Sequence, residues 1–292
     1  MSKPLGAIVT ALFLFTITSC AFKRVTRSKN IVYLNADSIN NKPAEELNVF
    51  APKKHASLKE VFLFIHGGTW NSGHKSTYSF LGNRMARKNV VTVIIDYPKS
   101  PQANYEEMAT DVARSVKWVA ENIKQYGGDP NKIFISGHSS GGHLAALVAV
   151  RNEYFENLGS ASPVKGAILI DAAGLDIYSY LKAGNYPEGH TYFQTFTNNP
   201  ETWKAASPMY HLHKGIPPML VYVGGKTYPF LKLSNEQLCA DLKTLGCEPV
   251  YHLQQNKKHK PMIKQFLYSG NPRYKEIIQF MRSSNQPATA SK

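Results

Sequence analysis

The feature that most constrains the fold is a Gly-x-Ser-x-Gly pentapeptide at residues 137–141, with Ser139 at its centre. The run 132–136 before it has the apolar pattern of a buried strand, and residues 142–148 after it have the pattern of a helix. A serine on such a tight turn is held in a strained, exposed position, with the next backbone N–H free to bind an oxyanion. Glycines are needed where strand and helix approach too closely for side chains. The pattern predicts that Ser139 is a nucleophile; a glycine-rich turn without chemistry is the alternative.

A His-Gly-Gly segment at residues 66–68 is the second informative feature. It follows an apolar, β-branched and aromatic run at 60–65 that predicts a core strand. Backbone N–H groups in such a loop can stabilise a developing oxyanion, although a loop that only ends the strand is the alternative. Because this loop and the serine turn would serve one reaction, we predict an oxyanion hole made by the N–H groups of Gly68, Thr69 and Ser140.

Strands and helices alternate along the chain, which predicts an α/β fold with a mostly parallel central sheet and helices on both faces. The clearest helix is predicted over 105–125, where one face is apolar. The segment 178–196 is rich in aromatic residues and predicts a small cap. Residues 284–292 are predicted to be a disordered tail. The pattern at 46–50 predicts an outer strand, and a short strand is considered at 31–34; the other predicted strands lie at 60–65, 90–95, 132–136, 164–170, 219–223 and 249–253.

Several segments together resemble one known family. They are His66-Gly67-Gly68-x-Trp70, Val93 to Tyr97, Tyr126 to Pro130, Gly137 to Ala145, Ala206-Ser207-Pro208 and Met219 to Gly224. Over residues 45–283 the chain resembles α/β-hydrolases of the hormone-sensitive-lipase-like and arylformamidase-like branch, which includes the bacterial feruloyl and acetylxylan esterases (BD-FAE-like). The resemblance implies an α/β-hydrolase domain that cleaves carboxylic esters or N-formyl amides with no metal or other cofactor.

A serine hydroxyl is a poor nucleophile until a neighbouring base takes its proton. In this fold the base follows the last strand, in the chain order serine, acid, histidine. His259 holds that place and is the predicted base. The other histidines are given different roles: His252 packs within the strand, His138 and His143 are structural, and His190, His211 and His213 line the pocket or lie on the surface.

The third catalytic group is not evident from the sequence. The resemblance implies a carboxylate in a Gly-x-x-acid turn after the strand 219–223, but Thr227 occupies that position. Three interpretations remain open: Asp176 supplies the acid from beyond the preceding strand, a neutral group such as the Thr227 hydroxyl replaces it, or catalysis is impaired and the protein only binds. Asp176 is our candidate acid, and its alternative role is to cap a short helix.

The substrate pocket is predicted from Trp70, from His138 and from the aromatic segment 178–196. The alternative for that segment is a packed cap that does not touch the substrate. We predict a small-molecule or glycan-linked ester as the substrate, and the sequence does not indicate the oligomeric state. Cys239 and Cys247 could form a disulfide in an exported protein or remain separate thiols.

The N-terminus predicts export. Lys3 precedes an apolar run, residues 5–17, that is too short to span a bilayer and ends near Cys20. We predict a lipoprotein signal peptide over 1–19, a lipid on Cys20 and a basic tether over 20–44; an ordinary signal peptide or an uncleaved anchor are alternatives. This places the protein in the bacterial cell envelope, facing the periplasm or the cell surface.

The formal net charge of +14 fits this interpretation. Basic residues beside a lipid favour an anionic membrane surface, and they cluster at Lys23, Arg24, Arg27 and Lys29. No nucleic-acid-binding motif is present, so we predict no nucleic-acid partner. The remaining basic excess predicts a solvated face that is biased towards anionic substrates.

Three functions remain open at this point. The first is a serine esterase that works through an acyl-enzyme intermediate. The second is an arylformamidase-type hydrolase of N-formyl amides, and the third is a non-catalytic lipoprotein that keeps the fold and binds a ligand.

Overall fold

The computed structural model describes residues 25–40, 42–53 and 56–284. In this part of the chain, eight strands form one sheet in the order β1-β2-β4-β3-β5-β6-β7-β8. The first two strands are antiparallel to their neighbours, and all the other pairs are parallel. The predicted mostly parallel sheet is therefore confirmed. The strands are β1 (Val25–Leu34), β2 (Glu45–Pro52), β3 (Lys59–Ile65), β4 (Val91–Ile95), β5 (Gly128–His138), β6 (Val164–Ile170), β7 (Met219–Gly224) and β8 (Val250–Gln254).

The α-helices lie between these strands. They are α1 (Ser79–Arg87), α2 (Tyr105–Asn122), α3 (Ser140–Val150), α4 (Glu153–Glu156), α5 (Ile177–Ala183), α6 (Thr191–Phe196), α7 (Pro200–Ala205), α8 (Pro229–Thr244), α9 (His259–Lys264) and α10 (Arg273–Ser283). A capping box of Asn104 and Glu107 begins α2. This helix ends earlier than predicted because its last turn tightens into a 3₁₀ turn, Ile123–Tyr126, closed by Gly127 at φ 82°.

The sheet is buried on both faces, and β3 shows how. Leu63 packs into a core formed with α2 and α3, whereas Phe64 packs into a second core formed with α1 and α10. Both side chains are fully buried. Successive side chains of a strand point to opposite faces, so a strand covered by helices on both sides must be apolar throughout. The two cores fix the carboxyl ends of the parallel strands relative to one another.

The N-terminal boundary differs from the predicted one. Val25–Leu34 is a strand of the sheet rather than part of a tether, and it pairs with β2 along most of its length. Tyr33 donates a hydrogen bond to the carbonyl of Asp96 at 2.8 Å, and Arg27 donates to Asn83 at 2.6 Å. The strand was underestimated because backbone pairing at a polar sheet edge, rather than an apolar side-chain pattern, holds it in place. The domain therefore begins at least 20 residues before residue 45.

Several predictions concern residues that the structure does not describe. The signal peptide, the lipid on Cys20 and residues 285–292 of the predicted tail all lie outside the described ranges. Cys239 and Cys247 are described, and both are free thiols, so the disulfide alternative is wrong.

Among the helices of the described ranges, none has both the length and the apolar composition required to cross a membrane.

Candidate active site

Ser139 lies on the turn between β5 and α3 and has φ 56° and ψ −125°, the strained conformation that the pentapeptide predicts. The flanking glycines are required by close packing. A Cβ at Gly137 would lie 2.1 Å from the carbonyl oxygen of Gly141, and a Cβ at Gly141 would lie 2.2 Å from that of Ile65. The turn therefore presents the Ser139 hydroxyl at the carboxyl end of the sheet and can do so only with glycine at these positions.

The structure brings His259 to this hydroxyl. His259 is the first residue of α9, which follows β8, and its Nε2 lies 2.9 Å from Ser139 Oγ. Its Nδ1 lies 2.6 Å from a carboxylate oxygen, which can only accept a hydrogen bond when ionised. The proton is therefore assigned to Nδ1, and Nε2 is left as the acceptor for the serine proton. This is the tautomer that a general base requires.

The carboxylate that contacts His259 is Asp171, not Asp176. Asp171 follows β6 directly, and its side chain is fully buried. Its Oδ2 lies 2.6 Å from His259 Nδ1. Asp176 instead accepts a hydrogen bond from the N–H of Ser179 at 2.9 Å and caps α5, which was its alternative role.

Two further donors hold the Asp171 carboxylate. The N–H of Gly224 donates to Oδ1 at 2.8 Å, and the hydroxyl of Thr227 donates to Oδ2 at 2.5 Å. Thr227 thus hydrogen-bonds the acid and does not replace it as the partner of His259, so the neutral-acceptor interpretation is wrong. Both donors come from the end of β7 and the turn that follows it. A buried carboxylate with this many donors is held in one orientation.

Sequence reasoning missed Asp171, although a signal was present. It is the first polar residue after the buried strand β6, and β6 lies beside β5, the strand that leads to Ser139. Charged side chains at the carboxyl ends of adjacent parallel strands gather at one edge of the sheet, where α/β proteins bind their ligands. Asp171 and Asp176 follow the same strand, and Asp171 differs in coming directly at the strand end, whereas Asp176 lies five residues further along at the start of α5.

The predicted oxyanion hole requires one correction. The N–H of Gly68 donates to Ser140 Oγ at 3.0 Å, so Gly68 links the two loops and its N–H is already engaged. Thr69 has φ 53°, and across the described ranges its N–H has no hydrogen-bond acceptor. Ser140 is the first residue of α3, where a backbone N–H has no intrahelical acceptor. The N–H groups of Thr69 and Ser140 therefore remain as candidate oxyanion donors.

A buried ion cluster anchors the loop that carries Thr69. Asp96 accepts hydrogen bonds from the backbone N–H of Lys75 at 2.7 Å and from its Nζ at 3.0 Å. The same Nζ contacts Glu46 at 3.0 Å, and Nε2 of His66 lies 3.4 Å from Asp96. Burial acts to raise the pKa of Asp96, but these neighbours outweigh it and lower that pKa below its usual range. An ionised Asp96 fixes the loop to the end of β4.

Two buried histidines support the site without titrating near neutral pH. The ring of His138 stacks on that of His259 with centroids 4.7 Å apart, and its Nε2 lies 3.2 Å from the His259 carbonyl. Burial, aided by the neighbouring His259, lowers the pKa of His138 to about 3. Burial likewise lowers the pKa of His143 to about 4; this ring accepts from Trp70 Nε1 at 3.0 Å and contacts the Ala206 carbonyl. His259 is thus the imidazole that contacts Ser139.

A cavity of about 650 Å³ opens above Ser139. Trp70 and His138 line it, as the sequence predicts, and α5 and α6 supply part of its wall. Segment 178–196 thus contributes residues to the cavity wall, which favours the pocket interpretation over a packed cap that does not touch the substrate. The wall includes Thr69, Tyr78, Ala173, Gly174, Ile177, Tyr180, Leu181, Tyr192, Phe196, Tyr228, Phe230, Leu231, Lys260, Ile263 and Lys264.

The remaining histidines do not line this cavity. His190 caps α6, while His211 and His213 contact the carbonyls of Ala205 and Val150. His252 stacks on Tyr222 with centroids 5.1 Å apart, in agreement with its predicted packing role. Within the residues that the structure describes, no group of three or more His, Cys, Asp or Glu side chains is arranged to hold a metal ion.

Comparison with known proteins identifies the family. Residues 47–230 match the BD-FAE family model. The chain belongs to the BD-FAE family. Isoprenylcysteine alpha-carbonyl methylesterase ICME of Arabidopsis thaliana is 27% identical over 83% of this BD-FAE chain and 58% of its own length. Esterase LipQ of Mycobacterium tuberculosis is 32% identical over 68% of this chain and 49% of its own length. The chain thus spans less than two thirds of these curated relatives.

Solved structures share the fold of this BD-FAE chain. A truncated carbohydrate esterase from gut microbiota aligns with a TM-score of 0.75 at 19% identity, covering 90% of this chain and 98% of that one. Esterase B from Lactobacillus rhamnosis aligns with a TM-score of 0.72 at 18% identity, covering 89% and 86%. At these identities the likeness establishes the α/β-hydrolase fold.

Proposed function

We propose that this chain is a serine hydrolase that cleaves carboxylic esters through an acyl-enzyme intermediate. The observation that carries the proposal is the continuous chain of contacts from Ser139 Oγ through His259 to Asp171. A nucleophile, a base in the correct tautomer and a buried carboxylate are the groups that acyl transfer from an ester needs. Membership of the BD-FAE family and the names of the relatives, which include methylesterase and esterase, support the same chemistry.

The first half-reaction acylates Ser139. His259 Nε2 takes the hydroxyl proton as Oγ attacks the ester carbonyl carbon, and the carbonyl oxygen becomes an oxyanion held by the N–H groups of Thr69 and Ser140. The carbon–oxygen bond to the alcohol then breaks. His259 gives its proton to the departing alkoxide, so the alcohol leaves neutral and the acyl group stays on Oγ.

The second half-reaction releases the acid. A water molecule enters from the cavity, His259 takes one of its protons, and the resulting hydroxide attacks the acyl carbon. When the second tetrahedral intermediate collapses, Ser139 Oγ leaves and takes the proton back from His259. In both halves Asp171 stabilises the imidazolium and holds its ring, without accepting the proton itself.

The other two functions are less well supported. The hypothesis of a non-catalytic binding protein rested on Thr227 standing where the resemblance implies an acid. The contact between Asp171 and His259 supplies a carboxylate from another strand, so this support for the hypothesis is lost. N-formyl amides could be cleaved by the same groups. Esters are favoured because the names of the two curated relatives described above refer to ester hydrolysis.

A fluorophosphonate probe tests the proposal directly. We expect the folded protein to be labelled and to hydrolyse para-nitrophenyl acetate, and we expect Ser139→Ala to lose both properties because only an activated serine reacts with this phosphorus electrophile. Ser160→Ala is the matched control, since Ser160 lies in the turn after α4, away from the cavity. The readouts are gel fluorescence and release of para-nitrophenol. Equal labelling of the wild type and Ser139→Ala, or no labelling of the folded wild type, would exclude the mechanism.

We further propose that the protein is exported and lipid-anchored through Cys20 in the bacterial cell envelope. The support comes from the sequence: Lys3, the apolar run 5–17 and small residues just before the cysteine. Lys23 and Arg24 would then lie beside the lipid, where basic residues add attraction to anionic membranes. Arg27 and Lys29 belong to β1, so the linking segment is shorter than the predicted tether.

Metabolic labelling tests the anchor. Cells fed an alkyne fatty acid should label the wild-type protein, and the protein should sediment with membranes. Cys20→Ala should lose the label and move to the soluble fraction, because the lipid is attached through the thiol. Cys247→Ala is the control, since it removes a partly exposed free thiol of the folded domain. A label that persists in Cys20→Ala contradicts the proposal.

A further inference from the structure

The cavity above Ser139 carries two cations on one wall. Lys260 and Lys264 both line it, and both belong to α9. Residues four apart on a helix lie on the same face, so the two lysine side chains share one side of the cavity. Like charges at this spacing destabilise a helix unless another group neutralises them.

No carboxylate of the described residues neutralises this pair. Neither Lys260 nor Lys264 has an ion-pair partner within the described ranges, and the residues that line the cavity include no Asp or Glu. Asp171 lies beneath the site, where His259, Gly224 and Thr227 occupy it. The cavity wall at α9 is therefore positively charged and open to solvent.

Position at the cavity distinguishes this pair from the other lysines of the chain. Other lysines of this basic chain lie beside carboxylates: Lys42 contacts Glu107, Lys132 contacts Asp129, Lys204 contacts Glu201 and Lys232 contacts Glu236. Others, such as Lys165 and Lys275, have no carboxylate partner in the described ranges either, so the pair on α9 differs because it lines the cavity that contains the nucleophile. Low-dielectric walls around such a cleft focus its field and raise the local concentration of an oppositely charged ligand.

We propose that the physiological ester carries a carboxylate, which Lys260 and Lys264 bind while the ester carbonyl lies at Ser139. The inference rests on the proposed function and specifies its substrate class. The two cations stand on the same short helix as His259, so the carboxylate site has a fixed position relative to the base. Tyr228 also lines the cavity, with its ring centroid 5.3 Å from that of His259, and its hydroxyl is a hydrogen-bond donor on the side of the cavity that carries α9.

Matched ester pairs test the inference on the intact domain. One pair places the charge on the alcohol side: para-acetoxybenzoate against para-acetoxybenzamide. The other places it on the acyl side: para-nitrophenyl hemisuccinate against para-nitrophenyl butyrate. The measured quantity is the ratio of kcat/KM for the anionic ester to kcat/KM for its neutral partner. We expect the wild type to favour the anionic ester in at least one pair, with a preference that falls as salt is added.

The double variant Lys260→Gln/Lys264→Gln should lower that ratio by about fivefold or more, as expected for the loss of two partly exposed charge contacts. The control is Lys165→Gln/Lys275→Gln, which removes the same net charge from exposed positions that do not line the cavity. It should keep the wild-type ratio.

The outcomes separate the two claims. A wild-type ratio near one in both pairs, or equal losses in the α9 variant and the control, overturns the carboxylate site but leaves ester hydrolysis in place. Equal losses in the α9 variant and the control would mean that only the overall charge of the protein attracts anionic esters. If neither the neutral nor the anionic esters are hydrolysed, the proposed function itself fails and the substrate class fails with it.

Discussion

Replacing Asp171 with Asn is expected to lower kcat for ester hydrolysis by roughly 10⁴, the loss seen when a catalytic histidine is deprived of its carboxylate. Asparagine has the size of aspartate, and its carbonyl oxygen can still accept from the N–H of Gly224 while its NH2 group donates to the Thr227 hydroxyl, so the fold should survive. Its amide cannot stabilise an imidazolium, and an amide N–H directed at His259 Nδ1 would favour the wrong tautomer. Initial rates with para-nitrophenyl acetate measure the effect.

The matched control for this prediction is Asp176→Asn. Asp176 follows the same strand but caps α5, and asparagine caps a helix as well as aspartate does. We expect this variant to keep the wild-type kcat and melting temperature. Equal kcat values for Asp171→Asn and the wild type, with both folded by circular dichroism, would show that the buried carboxylate is not part of the catalytic machinery.

The second prediction is a recovery of activity when the carboxylate is moved. Thr227 Oγ1 and His259 Nδ1 contact the same oxygen of Asp171, at 2.5 Å and 2.6 Å. A carboxylate at position 227 would therefore start within a short distance of the imidazole. The double variant Asp171→Asn/Thr227→Asp should regain about 10² of the roughly 10⁴ lost in kcat, because a charge near Nδ1 restores the tautomer but not the original geometry.

Asp171→Asn/Thr227→Asn provides the control, since it has the same shape without the charge. It should remain as slow as Asp171→Asn. Thr227→Asp alone places two carboxylates side by side, which raises the pKa of one of them and should slow the enzyme near neutral pH. If the charged and uncharged double variants are equally slow, position 227 cannot serve His259, and the contact with Thr227 is only structural.

The sequence predicted the parts of the site that have strong local signals. Ser139 is marked by the strand, turn and helix around it, and His259 by its place after the last strand. Asp171 is marked locally only by its place directly after β6, and its role depends on β6 lying between β5 and β7 and on donors that come from the end of β7. These are contacts between segments distant in sequence, which a reading of local patterns does not capture.

The contrast between local patterns and contacts of distant segments also explains where else the predictions and the structure differ. The N–H of Gly68 is engaged by a hydroxyl 72 residues away, which no pattern in residues 66–70 indicates. Strand β1 exists through its ladder with β2, so its polar side chains gave little indication of it. In contrast, β6 has the predicted bounds of 164–170, because a strand buried on both faces is apolar throughout.

Placing the acid at the end of β6 changes what the turn after β7 can do. Thr227 hydrogen-bonds Asp171, but no side chain of this turn gives or takes the proton that moves between Ser139 and His259. The neighbouring Tyr228 and Phe230 line the cavity instead. Substitutions there can reshape the wall against which an ester rests while the serine, histidine and aspartate stay in place. Side-chain changes at these two positions can therefore alter which esters fit while the rate of the chemical steps is preserved.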